Sequence, residues 1–161
     1  MVSTQKVIMY TDGAALGNPG PGGYGIVLKA GTLRKELSEG FFKTTNNRME
    51  LLAVIEGLQA LKKTATPVSI YSDSKYVVDS VQKGWVFGWE KKGFRNKNQW
   101  RINTDLWKQF LEVYRMHSVT FKWVKGHAGN PENERCDELA VLAAQNPTRR
   151  DLVYEQTSSS V

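Results

Sequence analysis

Residues 7–29 read VIMYTDGAALGNPGPGGYGIVLK, and this stretch decides how the fold begins. A short apolar run over residues 7–11 ends at an Asp-Gly pair, and a second apolar run over residues 24–29 follows a glycine-rich bend. A third run covers residues 33–42. Closely spaced strands joined by turn residues predict an antiparallel meander of three strands.

The same bend contains a GxGxxG pattern, which runs from Gly20 through Gly22 to Gly25. As a dinucleotide-binding fingerprint, this pattern has to follow a strand and open a helix. Here it leads into a strand and carries Pro21. A tight turn between strands therefore explains the pattern better than a nucleotide site.

Helical and strand patterns alternate along the rest of the chain. Residues 45–47 offer N-cap side chains, and an apolar stripe at positions 51, 54, 55, 58 and 61 predicts an amphipathic helix. Further elements are predicted as a strand over 68–72, a helix over 74–83, a helix over 105–116, a strand over 119–124 and a helix that starts at Asn130-Pro131. The order βββαβααβα predicts an α/β fold in which a mixed sheet carries helices on both faces.

Four acidic residues lie at the boundaries of these elements, namely Asp12, Glu50, Asp73 and Asp137. Two of them end apolar runs, and two lie near the starts of helices. A sheet flanked by helices can gather such positions at one rim, where four carboxylates would repel one another unless a cation neutralised them. Oxygen-rich, sulfur-free clusters suit hard divalent cations such as Mg²⁺. The set therefore predicts a carboxylate metal site that acts on phosphate.

Each acidic residue also has an ordinary structural explanation. Asp12-Gly13 suits a turn, and Glu50 suits the first turn of a helix. Asp73 suits the N-cap of the next helix, and Asp137 suits a solvated helix face. Taken singly, each explanation is commoner than catalysis. The conjunction favours a shared site, because three of the four occupy corresponding strand-to-helix edges without an adjacent arginine or lysine.

Bulk composition restricts the class of protein. At 161 residues, 40% of them hydrophobic, the chain is expected to form one domain over residues 1–148, followed by a polar, flexible tail over 149–161. No apolar run approaches the roughly 20 residues of a membrane span, and the N-terminus lacks the apolar core of a signal peptide. The single cysteine excludes an internal disulfide. These features predict a cytoplasmic protein without membrane contact.

Cys136 and His127 together suggest a thiol nucleophile and its base. Against this, Cys136 adjoins Asp137 in a helix that also carries three glutamates, and acidic surroundings raise the pKa of a thiol. A structural cysteine is the favoured interpretation. His127 remains a candidate because it lies in a Gly-His-Ala-Gly loop between a strand and the helix of Asp137.

Positive charge is concentrated in residues 82–101, which we call the basic handle. The chain has a net charge of +6, and the handle holds six cations against one acid, interleaved with five aromatic residues. A solvated helix face would explain the cations but not the aromatic residues. Cations that bind phosphates, with rings that pack against sugars or support the cations, predict an arm that binds nucleic acid.

Four motifs occur in an order typical of one protein family. TDGAALGNPGPGGYG, TTNNRMELLAVIEGL, SDSKYVVDSV and WVKGHAGNPENERCDELA closely resemble motifs of bacterial type 1 ribonuclease H (ribonuclease HI). The similarity covers about residues 7–146. It implies a monomer with a ribonuclease H-like five-stranded mixed sheet, in which two parallel strands are added to three antiparallel ones.

The resemblance also implies roles for the candidate catalytic residues. The four acidic residues, Asp12, Glu50, Asp73 and Asp137, are expected to bind two Mg²⁺ ions, or Mn²⁺ in their place. Asp12 is the best candidate to bridge the ions. His127 is expected to assist proton transfer or product departure.

Residues for substrate binding follow from the same resemblance. The expected contacts are Asn18, Asn46 and Asn47 to the minor groove, Glu50 to an RNA 2′-hydroxyl, Thr45 and Asn103 to a DNA-strand phosphate, and Trp85, Trp89, Lys91, Lys92 and Arg95 from the handle. Lys75 is also expected to bind substrate, although it stands where the family commonly has glutamine, and Ala14-Ala15 stand where well-known members have Ser-Cys. Glu90 and Phe94 replace a familiar lysine and tryptophan in the handle.

These features predict a metal-dependent endonuclease that hydrolyses the RNA strand of RNA–DNA hybrids, with little sequence preference. Two metal ions would activate the attacking water and stabilise the leaving oxygen, which gives 5′-phosphate and 3′-hydroxyl ends. One alternative is a non-catalytic module that binds hybrids, although clustered acids give a binder of polyanions no advantage. Another is a DNA nuclease of related fold, against which the asparagines that can read 2′-hydroxyls argue.

Overall fold

The computed structural model describes residues 6–159, and a five-stranded mixed sheet lies at its centre. The strands of this sheet are β1 (Val7–Ala15), β2 (Gly20–Ala30), β3 (Leu33–Thr44), β4 (Pro67–Ser72) and β7 (Ser118–Trp123), while β5 (Arg95–Asn96) and β6 (Gln99–Trp100) form a separate hairpin. The spatial order is β3-β2-β1-β4-β7. β1, β2 and β3 pair antiparallel, and β4 and β7 are added in parallel. This confirms the predicted fold class.

Six helices surround the sheet within the described residues: α1 (Asn46–Gln59), α2 (Lys75–Gln82), α3 (Trp85–Lys91), α4 (Thr104–Tyr114), α5 (Pro131–Gln145) and α6 (Leu152–Ser159). Side-chain oxygens of Thr45, Ser74 and Asn130 cap α1, α2 and α5 by accepting bonds from backbone N–H groups of the first turn. The predicted start of the last helix at Asn130-Pro131 is therefore confirmed.

Glycines let α1 and α5 approach opposite faces of the sheet. A Cβ atom on Gly25 of β2 would lie only 2.2 Å from the carbonyl oxygen of Cys136 in α5. The next residue along β2, Ile26, faces the other way, where its Cγ2 would lie 3.4 Å from a Cβ atom on Gly57 of α1. Helices therefore cover both faces, as the element order predicted.

Two segments are more regular than the sequence predicted. β1 continues four residues past the expected end at residue 11, because Asp12 and Ala15 still pair with Gly25 and Gly22 of β2. The basic handle, predicted only as an interruption, contains α3 and the β5–β6 hairpin. Val86 and Phe94, which are 0% and 4% exposed, bury apolar surface that holds the handle against the domain.

The C-terminal segment differs from the flexible tail expected over 149–161. Arg149 pairs with Phe41 of β3, Asp151 accepts hydrogen bonds from Arg48, and α6 follows. Residues 160–161 of that expected tail, and residues 1–5 at the N-terminus, lie outside the described part. Within residues 6–159, none of the helices combines the length and apolar character needed to cross a membrane.

Candidate active site

Three of the four predicted acidic residues meet at one edge of the sheet. One carboxylate oxygen from each of Asp12, Glu50 and Asp73 lies within 4.8 Å of the others. β1 and β4 are parallel neighbours, so Asp12 in β1 and Asp73 just after β4 lie at the same edge. Gly13 brings α1 to this edge, since a Cβ atom there would lie 2.4 Å from the backbone nitrogen of Glu50.

None of these three residues has the structural role that its local sequence suggested, namely a turn for Asp12, a helix first turn for Glu50 and an N-cap for Asp73. Asp12 lies inside β1 opposite Gly25 and not in a turn. The N-cap of α2 is Ser74, whose Oγ accepts a 3.2 Å bond from Val77 N–H, so Asp73 is not the cap. Glu50 is the fifth residue of α1, beyond the first turn, and is 5% exposed. Asp12 and Glu50 are buried and Asp73 is partly buried, and none of the three forms an ion pair with an arginine or lysine among the described residues. Their burial therefore requires another reason.

Asp137 lies outside the three-carboxylate group. It is half-buried in α5, next to Cys136, which packs against β2. Its negative charge nevertheless helps to raise the pKa values of Asp12 and Asp73, so it lies near the rim of the group. The sequence predicted correctly that Asp137 lies in a helix. It did not predict the direction in which its side chain leaves that helix.

Electrostatic strain is concentrated in the same three carboxyl groups. Burial, reinforced by the charges of Asp73 and Asp137, raises the pKa of Asp12 from 3.8 to about 7. Burial and the neighbouring Asp12 raise the pKa of Glu50 well above its usual value. The pKa of Asp73 is raised chiefly by burial. The group therefore binds protons, or another cation, more readily than solvated carboxylates do.

The residues present fit a divalent metal ion. Glu50 Oε2 is buried and accepts no hydrogen bond from the described residues, although buried acceptors are nearly always satisfied. The donor set consists of carboxylate oxygens without sulfur or imidazole, which is the preference of hard cations. A cation among these oxygens would satisfy Glu50 and remove the repulsion between the three groups.

The loop that carries His127 lies over the carboxylate group. A Cβ atom on Gly126 would lie 2.8 Å from Oδ2 of Asp73, and the charge of His127 lowers the pKa of Asp73. His127 itself is exposed and has a left-handed backbone with a φ of 57°. An exposed imidazole beside the carboxylates can exchange protons with solvent. Cys136, by contrast, is buried, and burial raises the pKa of its thiol, which agrees with the structural interpretation.

Trp123 is a neighbour of the site that the sequence analysis did not single out. Its indole N–H donates a 3.2 Å hydrogen bond to the backbone oxygen of Asp73. The Lys75 ammonium lies 5.0 Å from the centre of the same ring, so Trp123 contacts both the backbone of Asp73 and the side chain of Lys75. The alternation Val119, Phe121, Trp123 placed the ring on one face of β7 but could not indicate this contact.

The predicted minor-groove residues gather at the start of α1. The side-chain oxygen of Asn18 accepts a 3.1 Å bond from the backbone N–H of Asn46, which ties the bend after β1 to the helix. Asn47 is exposed in the same first turn. Asn46 and Asn47 lie about one turn of helix before Glu50, and Asn18 is bonded to Asn46, so the expected groove contacts and the carboxylates share one surface.

The two residues predicted to hold a DNA phosphate face one cavity of about 780 Å³. Thr45 is the N-cap of α1 and Asn103 is the N-cap of α4, so two helix N-termini converge there. Helix N-termini favour anions because their first N–H groups lack partners within the helix. Arg48, which the sequence analysis left unassigned, lies between them and is 3% exposed.

The predicted handle residues differ in how far they are exposed. Lys91, Lys92 and Arg95 are exposed, as binding to a polyanion requires. Trp85 is 46% exposed, with the Lys83 ammonium 5.3 Å from its ring centre. Trp89 is half-buried and packs edge-on against Trp107, with the Arg101 guanidinium 5.2 Å from its ring centre. The rings thus support cations, as one part of the sequence interpretation proposed.

Comparisons with known proteins agree with this geometry. A sequence model of the RNase H family matches residues 4–145. A ribonuclease H from Desulforamulus reducens is 56% identical over 144 residues, which cover 89% of this chain and 90% of the relative. The crystal structure of LC9-RNase H1, a type 1 RNase H with the type 2 active-site motif, superposes with a TM-score of 0.83 at 33% identity and covers 100% of this chain and 84% of its own. LC11-RNase H1, solved in complex with RNA/DNA hybrid, superposes with a TM-score of 0.67 at 25% identity, over 87% of this chain and 97% of its own.

Proposed function

This chain belongs to the ribonuclease H family, and we propose that it hydrolyses the RNA strand of RNA–DNA hybrids as a metal-dependent endonuclease. The observation that carries the proposal is the group formed by Asp12, Glu50 and Asp73, three carboxylates that form no ion pair with an arginine or lysine of residues 6–159. Four motifs that resemble this family in the sequence, and a structural relative solved with an RNA/DNA hybrid, support the substrate.

Asp12, Glu50 and Asp73 are proposed to hold two Mg²⁺ ions, with Asp137 as a further ligand from the rim. When bound, the ions lower the pKa of the attacking water and stabilise charge on the leaving oxygen. The carboxylates supply the negative charge that attracts and orients the cations. His127, exposed above Asp73, is proposed to carry a proton between the reacting groups and solvent.

Substrate selection is proposed to rest on the surface next to Glu50. RNA differs from DNA by the 2′-hydroxyl, which the wide, shallow minor groove displays. Because the oxygen of Asn18 is engaged with Asn46, its amide nitrogen is the group left to donate to a hydroxyl. Thr45 and Asn103 would hold a phosphate of the DNA strand, and the handle would follow the backbone. Few base edges are contacted in this arrangement, so little sequence preference is expected.

The setting of the enzyme is also proposed. The single cysteine and the absence of a membrane-spanning helix within residues 6–159 agree with a cytoplasmic protein. A monomer suffices, because the proposed ligands and substrate contacts all come from one chain. We propose one catalytic domain, which includes the handle.

A cleavage assay tests this proposal. Labelled RNA–DNA hybrid, double-stranded RNA and double-stranded DNA are each incubated with Mg²⁺ and with chelator. Only the hybrid is expected to be cut, only with metal, and only in its RNA strand. Binding without cleavage would favour the non-catalytic module, and cleavage of DNA would favour the related nuclease.

Asp12→Asn is the critical variant, because it removes one buried charge while the side chain keeps its size. We expect it to lose at least about a hundredfold in kcat, since a charged ligand of the reacting centre is lost. Asp79→Asn is the matched control, because Asp79 forms only a 3.7 Å surface pair with Lys83. Undiminished cleavage by Asp12→Asn would remove the carboxylate site from the mechanism.

A further inference from the structure

Arg48 is a buried arginine whose five N–H donors are all engaged. Two donate to Asp151 at 2.6 and 2.9 Å, and two donate to Asp105 at 2.9 and 2.7 Å. The fifth donates to Oδ1 of Asn103 at 3.3 Å. A guanidinium has five such donors, so Arg48 retains none for a phosphate. Its function must therefore act through the residues that it holds.

Arg48 sets which way Asn103 presents its amide. Because a guanidinium only donates, the oxygen of Asn103 faces Arg48, and the NH₂ group lies on the other side. One hydrogen of that NH₂ group is directed to the Tyr76 hydroxyl at 3.1 Å. The second hydrogen is then available to an anion. Without Arg48 the amide could turn over and present an oxygen, which would repel a phosphate.

The backbone of Arg48 also sets the role of the Thr45 hydroxyl. The backbone N–H of Arg48 donates a 3.2 Å bond to Thr45 Oγ1, so this oxygen acts as an acceptor within the helix cap. Its own hydrogen is left to donate outward. Thr45 and Asn103 thus each offer one donor to the cavity that both line. The Arg48 side chain orients Asn103, and the backbone N–H of the same residue orients Thr45.

Asp151 anchors Arg48 from the C-terminal end of the chain. Its carboxylate accepts from the Thr44 hydroxyl at 2.7 Å as well as from Arg48. Arg149, two residues before Asp151, is fixed to β3 by two backbone hydrogen bonds. Its N–H donates to the carbonyl oxygen of Gly40, and its carbonyl oxygen accepts from Phe42 N–H at 2.9 Å. After Asp151, α6 contributes Tyr154 to the wall of the cavity. The segment that looked like a tail is part of the cavity's construction.

We propose that Asp151 and Arg48 are positioning residues for the DNA-strand phosphate, acting through Thr45 and Asn103. This inference rests on the proposed function, because it assumes that the cavity receives the DNA strand of a hybrid. It assigns a role in substrate binding to the C-terminal segment, which the motif resemblance did not include.

Asp151→Asn tests the proposal, because positioning and long-range electrostatics predict opposite changes in the affinity for hybrid. Removal of a negative charge near a polyanion site strengthens binding if only long-range electrostatics matter. Loss of positioning weakens binding instead, and we expect KM for hybrid to rise about fivefold with kcat nearly unchanged. Glu155→Gln is the matched control, since it also removes one carboxylate from this segment but pairs with Arg150. It is expected to bind hybrid as tightly as the unaltered protein, or slightly more tightly.

A neutral linkage in the substrate distinguishes positioning from a general loss of stability. Hybrids are made with one uncharged methylphosphonate at successive positions of the DNA strand. In the unaltered protein, one position is expected to lose about tenfold in binding, because a charge-assisted contact is removed. In Asp151→Asn, a methylphosphonate at that position is expected to weaken binding no more than one at the neighbouring positions. Measurements are made at a temperature where thermal unfolding shows both proteins folded.

Three results with Asp151→Asn would overturn the proposal. They are unchanged or tighter binding by Asp151→Asn, a loss confined to kcat, and a methylphosphonate profile identical to that of the unaltered protein. Absence of any position-dependent loss in the unaltered protein would also overturn it. RNA cleavage by the unaltered protein is scored separately, so failure of the positioning role and failure of the nuclease function give different results.

Discussion

Replacement of Asp12 by asparagine is expected to stabilise the fold in the absence of divalent cations, although it removes activity. Asp12 is 5% exposed, and burial beside other carboxylates raises its pKa from 3.8 to about 7. The folded state therefore binds this proton more tightly than the unfolded state. The stability that the proton confers is complete below the usual pKa and is lost as the pH rises through about 7.

The size of the effect follows from the pKa shift of Asp12. One pKa unit corresponds to about 1.36 kcal/mol, so a rise from 3.8 to about 7 corresponds to roughly 4 kcal/mol as an upper limit. Glu50 shares the electrostatic strain, and a buried amide needs hydrogen-bond partners of its own. We therefore expect Asp12→Asn to raise the free energy of unfolding by about 2–4 kcal/mol at about pH 8 in chelator.

Urea unfolding followed by circular dichroism measures this difference. Experiments at about pH 5 and about pH 8 in chelator give the pH dependence of the free energy of unfolding for each protein. The advantage of the variant should be largest at the higher pH and shrink at the lower one. His117, whose pKa is lowered by burial, acts in the opposite direction but is present in both proteins, so it cancels.

Added Mg²⁺ reverses the comparison. Ligands that bind only the folded state stabilise it, so the unaltered protein should gain stability and Asp12→Asn should gain less. Asp79→Asn serves again as the control, because the partly exposed Asp79 forms a surface pair with Lys83 and is not a member of the carboxylate group. A variant less stable than the unaltered protein at about pH 8 in chelator would refute the strained-carboxylate argument.

Three further outcomes are expected. Gly13→Ala should destabilise the protein by more than about 2 kcal/mol in urea unfolding, since its Cβ would lie 2.4 Å from the backbone of Glu50, whereas Gly88→Ala, with no atom within 4 Å, should be tolerated. His127→Ala should lower kcat about ten- to a hundredfold without abolishing turnover, and complete loss in a single-turnover assay would mean that its role is larger than proton transfer. Neutralising Lys91, Lys92 and Arg95 together should weaken hybrid binding and flatten its dependence on salt, and an unchanged salt slope would exclude the handle from the interface.

The parts of the fold that the sequence predicted are those in which local pattern and tertiary packing agree. The apolar stripe of Leu51, Val54, Ile55 and Leu58 predicted α1, and all four side chains are fully buried in the structure. The predicted end of β1 at residue 11 was wrong, because Asp-Gly is a frequent turn pair and Asp12-Gly13 was expected to end the strand. Here the glycine is required for the close approach of α1, a contact that only the tertiary structure reveals.

Arg48 shows where a signal was present but not used. It lies three residues before Leu51 and seven before Ile55, which places it on the apolar face of α1. An arginine on such a face has to find carboxylates, because a buried charge is not tolerated alone. The sequence could raise that question, but its answer, Asp105 and Asp151, comes from residues 57 and 103 positions away.

The position of Asp137 could not be predicted for a different reason. Its distance from the other carboxylates depends on the rotation of α5, which the packing of Cys136 and Ala140 against glycines of β2 decides. A few tens of degrees of rotation move a side chain by several ångströms at the helix surface. Sequence periodicity fixes which residues share a face but not the rotation to that accuracy.

The carboxylates repel one another, so other contacts must hold together the elements that carry them. Ion pairs between β3 and the start of α5 are one such set of contacts. Arg34 of β3 binds Glu132 of α5 through two bonds of 3.0 and 2.8 Å, and Arg135 of α5 binds Glu36 of β3 through two bonds of 2.9 and 3.0 Å. These paired bridges tie the first two turns of α5 to the edge strand. Asp137 lies just beyond them in the same helix. The carboxylates are thus held in place by neighbouring packing and ion pairs, and a cation would meet a site that is already assembled.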